Sequence, residues 1–365
     1  MKKLTQIVCS VAVMAAMASC GSKQQFTING TVDASVEDNA MVYLYDNADF
    51  TLKDSAAVQG GRFVFKGEAA EPWVAVVASR EAGLQQLLVV EPGVINLDAE
   101  NVSGTPLNDK LTAFARENDM SDLEGELRTY MEAYYAAPSA ELRAEAERKY
   151  DSVEAIANKR SLDAAWNLYR ANGDNLVGAI AMEQISQLGD FNYTQLDSIL
   201  ADAAPVVKNH APIVKKMEQL KAVEATSAGK RYTDIQGVDG KLSDLIEGKV
   251  ALVDFYASWC GPCRAEIKDN LVPLWKKYEK KGLVIVGLNV WERGDAAARK
   301  AAHEKVMADL GITYPQLVDS TRVATDTYGV RGIPQILLID KDGTILARDL
   351  RGAAIEEAIV KALGN

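Results

Sequence analysis

Ala251-Leu-Val-Asp-Phe-Tyr-Ala-Ser-Trp-Cys-Gly-Pro-Cys263 decides the fold of the C-terminal part of this 365-residue chain. Apart from Asp254, Val250 to Tyr256 is an unbroken apolar run, the pattern of a strand buried on both faces. Ser258 and Trp259 predict a short turn. Cys260-Gly-Pro-Cys263 predicts a helix start, with Pro262 in the first turn where a missing N–H is harmless. A Cys260 sulfur placed there meets unpaired backbone N–H groups at the positive end of the helix dipole. The thiolate is the reactive form, and lowering its pKa from ~8.5 to ~7 raises the ionised share at neutral pH from a few per cent to about half. Cys263, one turn further in, is placed to attack a mixed disulfide on Cys260 and release what it holds.

A close cysteine pair has other uses. A zinc knuckle needs four ligands, usually with a second Cys/His pair, and beyond the leader the sequence offers Cys20, His210 and His303, widely scattered. A purely structural disulfide gains little from closing so short a loop. The spacing points to redox chemistry.

Trp259-Cys-Gly-Pro-Cys263 resembles the thioredoxin active site, and Tyr328-Gly-Val-Arg-Gly-Ile-Pro-Gln335 resembles the loop that faces it. Asp239-Gly-Lys, Leu242-Ser-Asp-Leu245 and Gly248-Lys249 are similar to the opening hairpin of thioredoxin-like reductases tethered in bacterial envelopes, the TlpA/ResA type. The resemblance covers about residues 230–365 and implies a central mixed sheet flanked by helices. It also implies roles. Ile333-Pro334 matches a cis-proline pair whose first residue pairs with a substrate strand, while the proline keeps a backbone donor away from the sulfurs. Trp259 would cover the motif. Asp254 is costly to bury ionised, so its pKa should rise; in thioredoxin the matching Asp moves the proton of the inner cysteine, which makes Asp254 a candidate general base for Cys263.

The sequence departs from the pattern in places. Gly287 stands where thioredoxin has a lysine, which leaves Asp254 without that cation. Lys268 occupies a position that is proline in many tethered relatives, and Pro273 comes later. Arg264 and Arg331 are docking charges or plain solvated surface, and His303 falls on a polar helix as a solvated residue.

The N-terminus reads as a leader rather than fold: Met1-Lys-Lys, then an apolar run from Leu4 to Ala18, too short to span a bilayer comfortably. Met17-Ala-Ser-Cys20 resembles a bacterial lipobox, implying cleavage before Cys20 and lipidation of that residue; several acyl chains give lasting attachment. The alternative is an ordinary secretory leader that leaves Cys20 free. With Cys9 removed and Cys20 acylated, Cys260 and Cys263 remain as the thiols. The chain is acidic, 40 Lys plus Arg against 51 Asp plus Glu, and has no basic cluster, so nucleic acid is not an expected partner.

The expected organisation is multidomain: leader 1–19, lipidated tether 20–25, an N-terminal β-sandwich over 26–105, a central α-helical segment over 106–223, a linker over 224–230 and a C-terminal α/β thioredoxin fold over 231–365. Short alternating runs such as Phe26-Thr-Ile-Asn-Gly-Thr-Val32 and Arg62-Phe-Val-Phe65 suggest a small antiparallel sandwich. Its Asp54 to Gly67 stretch and Glu91-Pro-Gly93 also resemble an uncharacterised β-domain that often precedes such reductases. Beyond Leu107 the period becomes helical, with Pro138 ending one helix, Gly189 a C-cap, Thr194-Gln-Leu-Asp197 a capping box, and Pro212 opening a last helix. No nucleotide-binding loop appears, and no cofactor is expected. The expected activity is that of a lipid-anchored thiol-disulfide oxidoreductase in the bacterial envelope, facing the periplasm. Its partners would be protein disulfides and a membrane electron donor. Two alternatives stand beside it. A thiol peroxidase typically wants Thr or Ser where Ala257 stands, preceded by Pro; a non-enzymatic adaptor would use residues 26–225 for binding.

Overall fold

A computed structural model describes residues 24–364. The expected leader, Cys20 and most of the tether lie outside the described residues. The chain forms two compact units: one runs to Leu188 and takes in Ala204–His210; the other comprises Gly189–Ala203 and everything from Ala211.

The first unit begins with β1 (Gln24–Thr31), β2 (Met41–Asp46), β3 (Leu52–Ala57), β4 (Arg62–Ala69), β5 (Trp73–Ser79), β6 (Leu84–Val90), β7 (Gly93–Leu97) and β8 (Val102–Ser103). They make two four-stranded sheets, ordered β4-β1-β7-β8 and β3-β2-β5-β6. Alternate residues point inward, so Ile28, Phe63, Phe65 and Ile95 of one sheet share a core with Val42, Leu44, Val77 and Leu88 of the other. The all-antiparallel expectation is corrected at the centre of the first sheet. There β1 and β7 run parallel, Ile28 opposite Ile95, because the chain completes the other sheet before it returns. Strand β3 escaped the sequence reading for a physical reason: it pairs with β2 alone, is nearly all exposed and shows no apolar alternation.

Helices α1 (Pro106–Glu117), α2 (Ser121–Ala136), α3 (Ala140–Asn172) and α4 (Leu176–Leu188) follow, then α5 (Tyr193–Leu200), α6 (Pro205–Lys208) and α7 (Ala211–Ala225). The single helical segment expected over 106–223 is divided between the units. Helix α1 is pinned to β6 by buried Asn108, whose amide exchanges hydrogen bonds with the Val89 N–H (2.9 Å) and C=O (2.7 Å). The capping box of α5 sits upstream of the expected one. Asn192 accepts from the Gln195 N–H and donates its own N–H to the Gln195 side chain, both at 2.9 Å; Asn is as good an N-cap as Thr. The expected linker 224–230 lies inside the second unit. Arg348 donates to the Thr226 carbonyl at 3.0 Å, and Gly229 N–H to Ile345 O at 2.8 Å.

The second unit is built on a five-stranded sheet. Its elements are α8 (Leu242–Ile246), β9 (Val250–Tyr256), α9 (Gly261–Glu266), a π-turn (Ile267–Leu271), α10 (Val272–Tyr278), a short 3-10 turn, β10 (Leu283–Asn289) and α11 (Ala296–Leu310). After these come β11 (Gln316–Val318), α12 (Val323–Thr327), β12 (Gln335–Ile339), β13 (Ile345–Ala347) and α13 (Ala353–Leu363). The order is β11-β10-β9-β12-β13, with β9, β10 and β11 parallel and β12 antiparallel to β9. Every residue of β9 and β10 is buried, as expected of strands covered on both faces. The π-turn has a local cause. Pro273 has no N–H to give the helix, and the Val272 N–H reaches Ile267 O instead.

Helix α7 belongs with this unit through Gly329. That residue has φ +61°, and a Cβ on it would lie 2.7 Å from Gln219 O and 3.0 Å from Val223 N. Gly329→Ala should therefore strain the backbone and force α7 away, lowering stability by about 2 kcal/mol or more. Urea unfolding measures it, and an unchanged midpoint would show that α7 is not seated there.

Candidate active site

The site grows from the carboxyl end of β9. Val250, Leu252 and Tyr256 point into the core that also holds Cys263, Ile267 and Ile359. The two-residue period of a strand puts Asp254 on that same face. Beyond β9 the chain turns through Ser258 and Trp259, and Cys260 caps α9 with an extended backbone (φ −80°, ψ 105°). The Cys263 N–H donates to Cys260 Sγ at 3.2 Å. The two cysteines form a disulfide, Cα–Cα 5.3 Å. Cys260 keeps 5% of its surface exposed and Cys263 none.

The facing loop comes from β12. Because β12 is antiparallel to β9, its start lies at the same sheet edge as the end of β9. The Ile333–Pro334 peptide is cis. The Ile333 carbonyl oxygen lies 3.7 Å from Cys260 Sγ. The structure thus brings Cys260, Cys263, Ile333 and Pro334 together. Trp259 is 43% exposed; its indole N–H donates to Trp291 O at 3.0 Å, and the Arg293 guanidinium sits 4.5 Å from its ring.

Asp254 is the buried carboxyl of the site, 1% exposed, and neither of its oxygens has a hydrogen-bond partner among the described residues. Burial pushes its pKa up to about 8; Arg351 pulls it down, and Glu266 pushes it further up. The sequence suggested that Gly287 left Asp254 without a cation. Gly287 is indeed opposite Asp254 in the parallel register, and a Cβ there would meet the Gln316 side chain at 2.5 Å. The cation arrives instead from the loop after β13. Arg351 donates to the carbonyls of Leu350 (2.7 Å) and of cis-Pro334. Glu266 accepts from the Gly352 N–H at 3.1 Å and from Asn270 at 2.8 Å. Nothing in the linear sequence marks Arg351, because only the β12–β13 hairpin carries it to the site.

His303 departs from its expected solvated place. It is half-buried, with Nδ1 3.3 Å from Tyr256 Oη, and burial holds its pKa below the ordinary value. Arg264 pairs with Asp309 at 3.5 Å, while Arg331 is exposed.

Residues 218–348 match the AhpC/TSA family, and residues 26–111 match a Domain of unknown function (DUF4369). Thiol-disulfide oxidoreductase ResA of Bacillus thuringiensis (strain Al Hakam) is 33% identical over 114 residues, 31% of this chain, and the match spans 61% of that relative's length. The ResA of Bacillus thuringiensis subsp. konkukian (strain 97-27) is 30% identical over 131 residues, 36% of this chain and 70% of the relative. A thioredoxin-family thiol:disulfide interchange protein from Chlorobium tepidum TLS aligns at 27% identity over 38% of this chain and 97% of its own, with a TM-score of 0.32. Through its C-terminal region, the chain belongs to the thioredoxin-like thiol-disulfide oxidoreductases of the ResA type.

Proposed function

We propose that the protein is a lipid-anchored, extracytoplasmic reductase of protein disulfides. In this reading Cys260 is the nucleophile, Cys263 resolves, and Asp254 is the general base. One observation carries it: a cysteine pair at a helix start, facing a cis-proline loop, in a core with a buried carboxyl that has no hydrogen-bond partner among the described residues. In the reduced pair, the Cys263 N–H and the helix start favour the Cys260 thiolate. That thiolate attacks one sulfur of a substrate disulfide; the substrate S–S bond breaks, and the other sulfur leaves as a thiolate and takes a proton from solvent. Asp254 then removes the Cys263 proton. Cys263 Sγ displaces the second substrate sulfur from Cys260; that sulfur leaves as a thiolate and, like the first, takes a proton from solvent, and the Cys260–Cys263 disulfide forms. Two electrons and two protons have passed to the substrate, and a membrane dithiol donor returns the pair to its reduced form. Ile333 offers its backbone to the substrate strand and Trp259 its exposed ring. Acylated Cys20 would hold the protein on the membrane, with residues 26–105 as a β-sandwich spacer or docking module. A pKa near 8 suits this base, since transfer from a thiol of pKa ~8.5 is then nearly balanced.

Asp254 also ties stability to pH. Its folded pKa of about 8 lies far above the ordinary carboxyl value of 3.8. The folded state therefore keeps a proton that the unfolded chain loses, and stability falls as pH rises from about 4 to about 8. Asp254→Asn removes that dependence. Its stability advantage should be near zero at pH 4 and grow to several kcal/mol, on the order of 5, by pH 8. Urea unfolding of the oxidised protein across that range measures the difference, and a pH-independent gap would refute a buried, neutral Asp254. The same variant should slow resolution of the mixed disulfide about 100-fold at pH 8.

The reading of the activity itself is tested by insulin reduction and by trapping. Cys260→Ser should abolish reduction, while Cys263→Ala should hold partner proteins on Cys260 as mixed disulfides. A wild-type protein that consumes hydrogen peroxide but leaves insulin intact would point to a peroxidase instead.

A further inference from the structure

We propose that Trp291-Glu292-Arg293, the segment that leaves β10, is a brace that fixes the Ser258–Trp259 turn and so sets the platform on which a substrate polypeptide approaches Cys260. This deepens the reductase reading and rests on it.

Glu292 is the hub. One carboxylate oxygen accepts from the Ser258 N–H at 2.6 Å, the other from the Ser258 hydroxyl at 2.7 Å. The carboxylate is itself held by Asn289, whose amide donates to it at 2.8 Å. Asn289 is 1% exposed and is the last residue of β10, opposite Tyr256. One step on, the Val290 N–H donates to Tyr256 O at 2.8 Å. The register of two fully buried strands is thus carried past the sheet into the turn before Cys260. Hydrogen bonds to a charged acceptor are about twice as strong as neutral ones, which suits Glu292 to this task.

Its neighbours grip the next residue. Trp291 O accepts from the Trp259 indole N–H at 3.0 Å, and the Arg293 guanidinium lies 4.5 Å from the Trp259 ring. From the opposite side, Arg264 donates to Ser258 O at 3.4 Å. The N–H, hydroxyl and carbonyl of Ser258 and the indole N–H of Trp259 all have partners. Holding this arrangement puts Trp291 at φ +54°, a left-handed conformation that costs a bulky residue about 1–3 kcal/mol. Trp291 is secured there by its own ring, which donates to Thr325 Oγ1 at 3.3 Å. An exposed indole is ordinarily free to turn. Here it is fixed beside the reactive sulfur with an arginine on its face, which lowers the ordering cost when a polypeptide packs on it.

A small disulfide needs the sulfur alone, whereas a protein disulfide also needs the platform. In Glu292→Gln, which keeps the shape and loses the charge, kcat/KM should therefore fall about ten-fold further for insulin than for glutathione disulfide. The excess should lie in KM, consistent with losing roughly 1.4 kcal/mol of positioning. Ser258→Ala, which removes a single arm, should show a smaller excess in the same direction. Equal losses on the two disulfides, or no excess in either variant, overturn the brace. A second readout is independent of turnover: acrylamide quenching assigned to Trp259 by difference from Trp259→Phe should rise in Glu292→Gln. Failure of the wild type on both disulfides overturns the reductase reading alone, and unchanged Trp259 quenching then decides against the brace.

Discussion

A carboxyl group in the middle of a sheet covered on both faces is the constraint around which the second unit is arranged. Position 254 sits in a strand with no exposed residue, and among the described residues neither oxygen has a hydrogen-bond partner. An ionised carboxylate there would carry an unrecovered desolvation cost, so the group holds its proton until the pH approaches about 8. Two charges with opposite influence act on it, Arg351 from the loop after β13 and Glu266 from the end of α9. Burial outweighs both and sets the pKa. The inner sulfur lies in the same core, wholly buried, so both groups are shielded from bulk water.

Topology explains why the remaining pieces converge. Parallel strands deliver their carboxyl ends to one edge of the sheet, and the loops there build sites. The turn after β9 supplies the cysteines, and the segment after β10 supplies Glu292. Antiparallel β12 begins where β9 ends, so the cis-proline reaches the same edge from the opposite chain direction. The loop after β13 closes the group when Arg351 donates to the carbonyl of Pro334. One guanidinium therefore touches the loop that faces the disulfide and also acts on the carboxyl beneath it.

What the sequence made legible was local. A buried strand and a helix start at Cys260 are each written in fewer than about ten consecutive residues, and their physics needs no distant partner, whereas the Ile-Pro pair was legible through the family resemblance. Arg351 and Glu292 were invisible because their significance comes from register. Glu292 matters because Asn289 lies opposite Tyr256, and Arg351 because a hairpin folds it back to Pro334. His303 misled for the same reason: its helix is polar in sequence, yet one ring nitrogen faces Tyr256. In the first unit, β3 carries no apolar alternation, and the parallel pairing of β1 with β7 depends on a return from the other sheet. The helical region looked continuous because helical periodicity says nothing about which neighbour a helix packs against. Asn108 under β6 and Gly329 under α7 settle that question, and neither side chain advertises it.

The pKa of about 8 belongs to the oxidised pair, in which Cys263 carries no proton. Reduction places a second ionisable group in the same low-dielectric core. Two anions sharing one buried face repel, so ionising both groups at once would be costly and any titration there belongs to the pair. Arg351 limits the effect by favouring the carboxylate, and Glu266 enlarges it. The balance between those two side chains bears on the carboxyl's hold on its proton, and the cysteine motif by itself does not encode it.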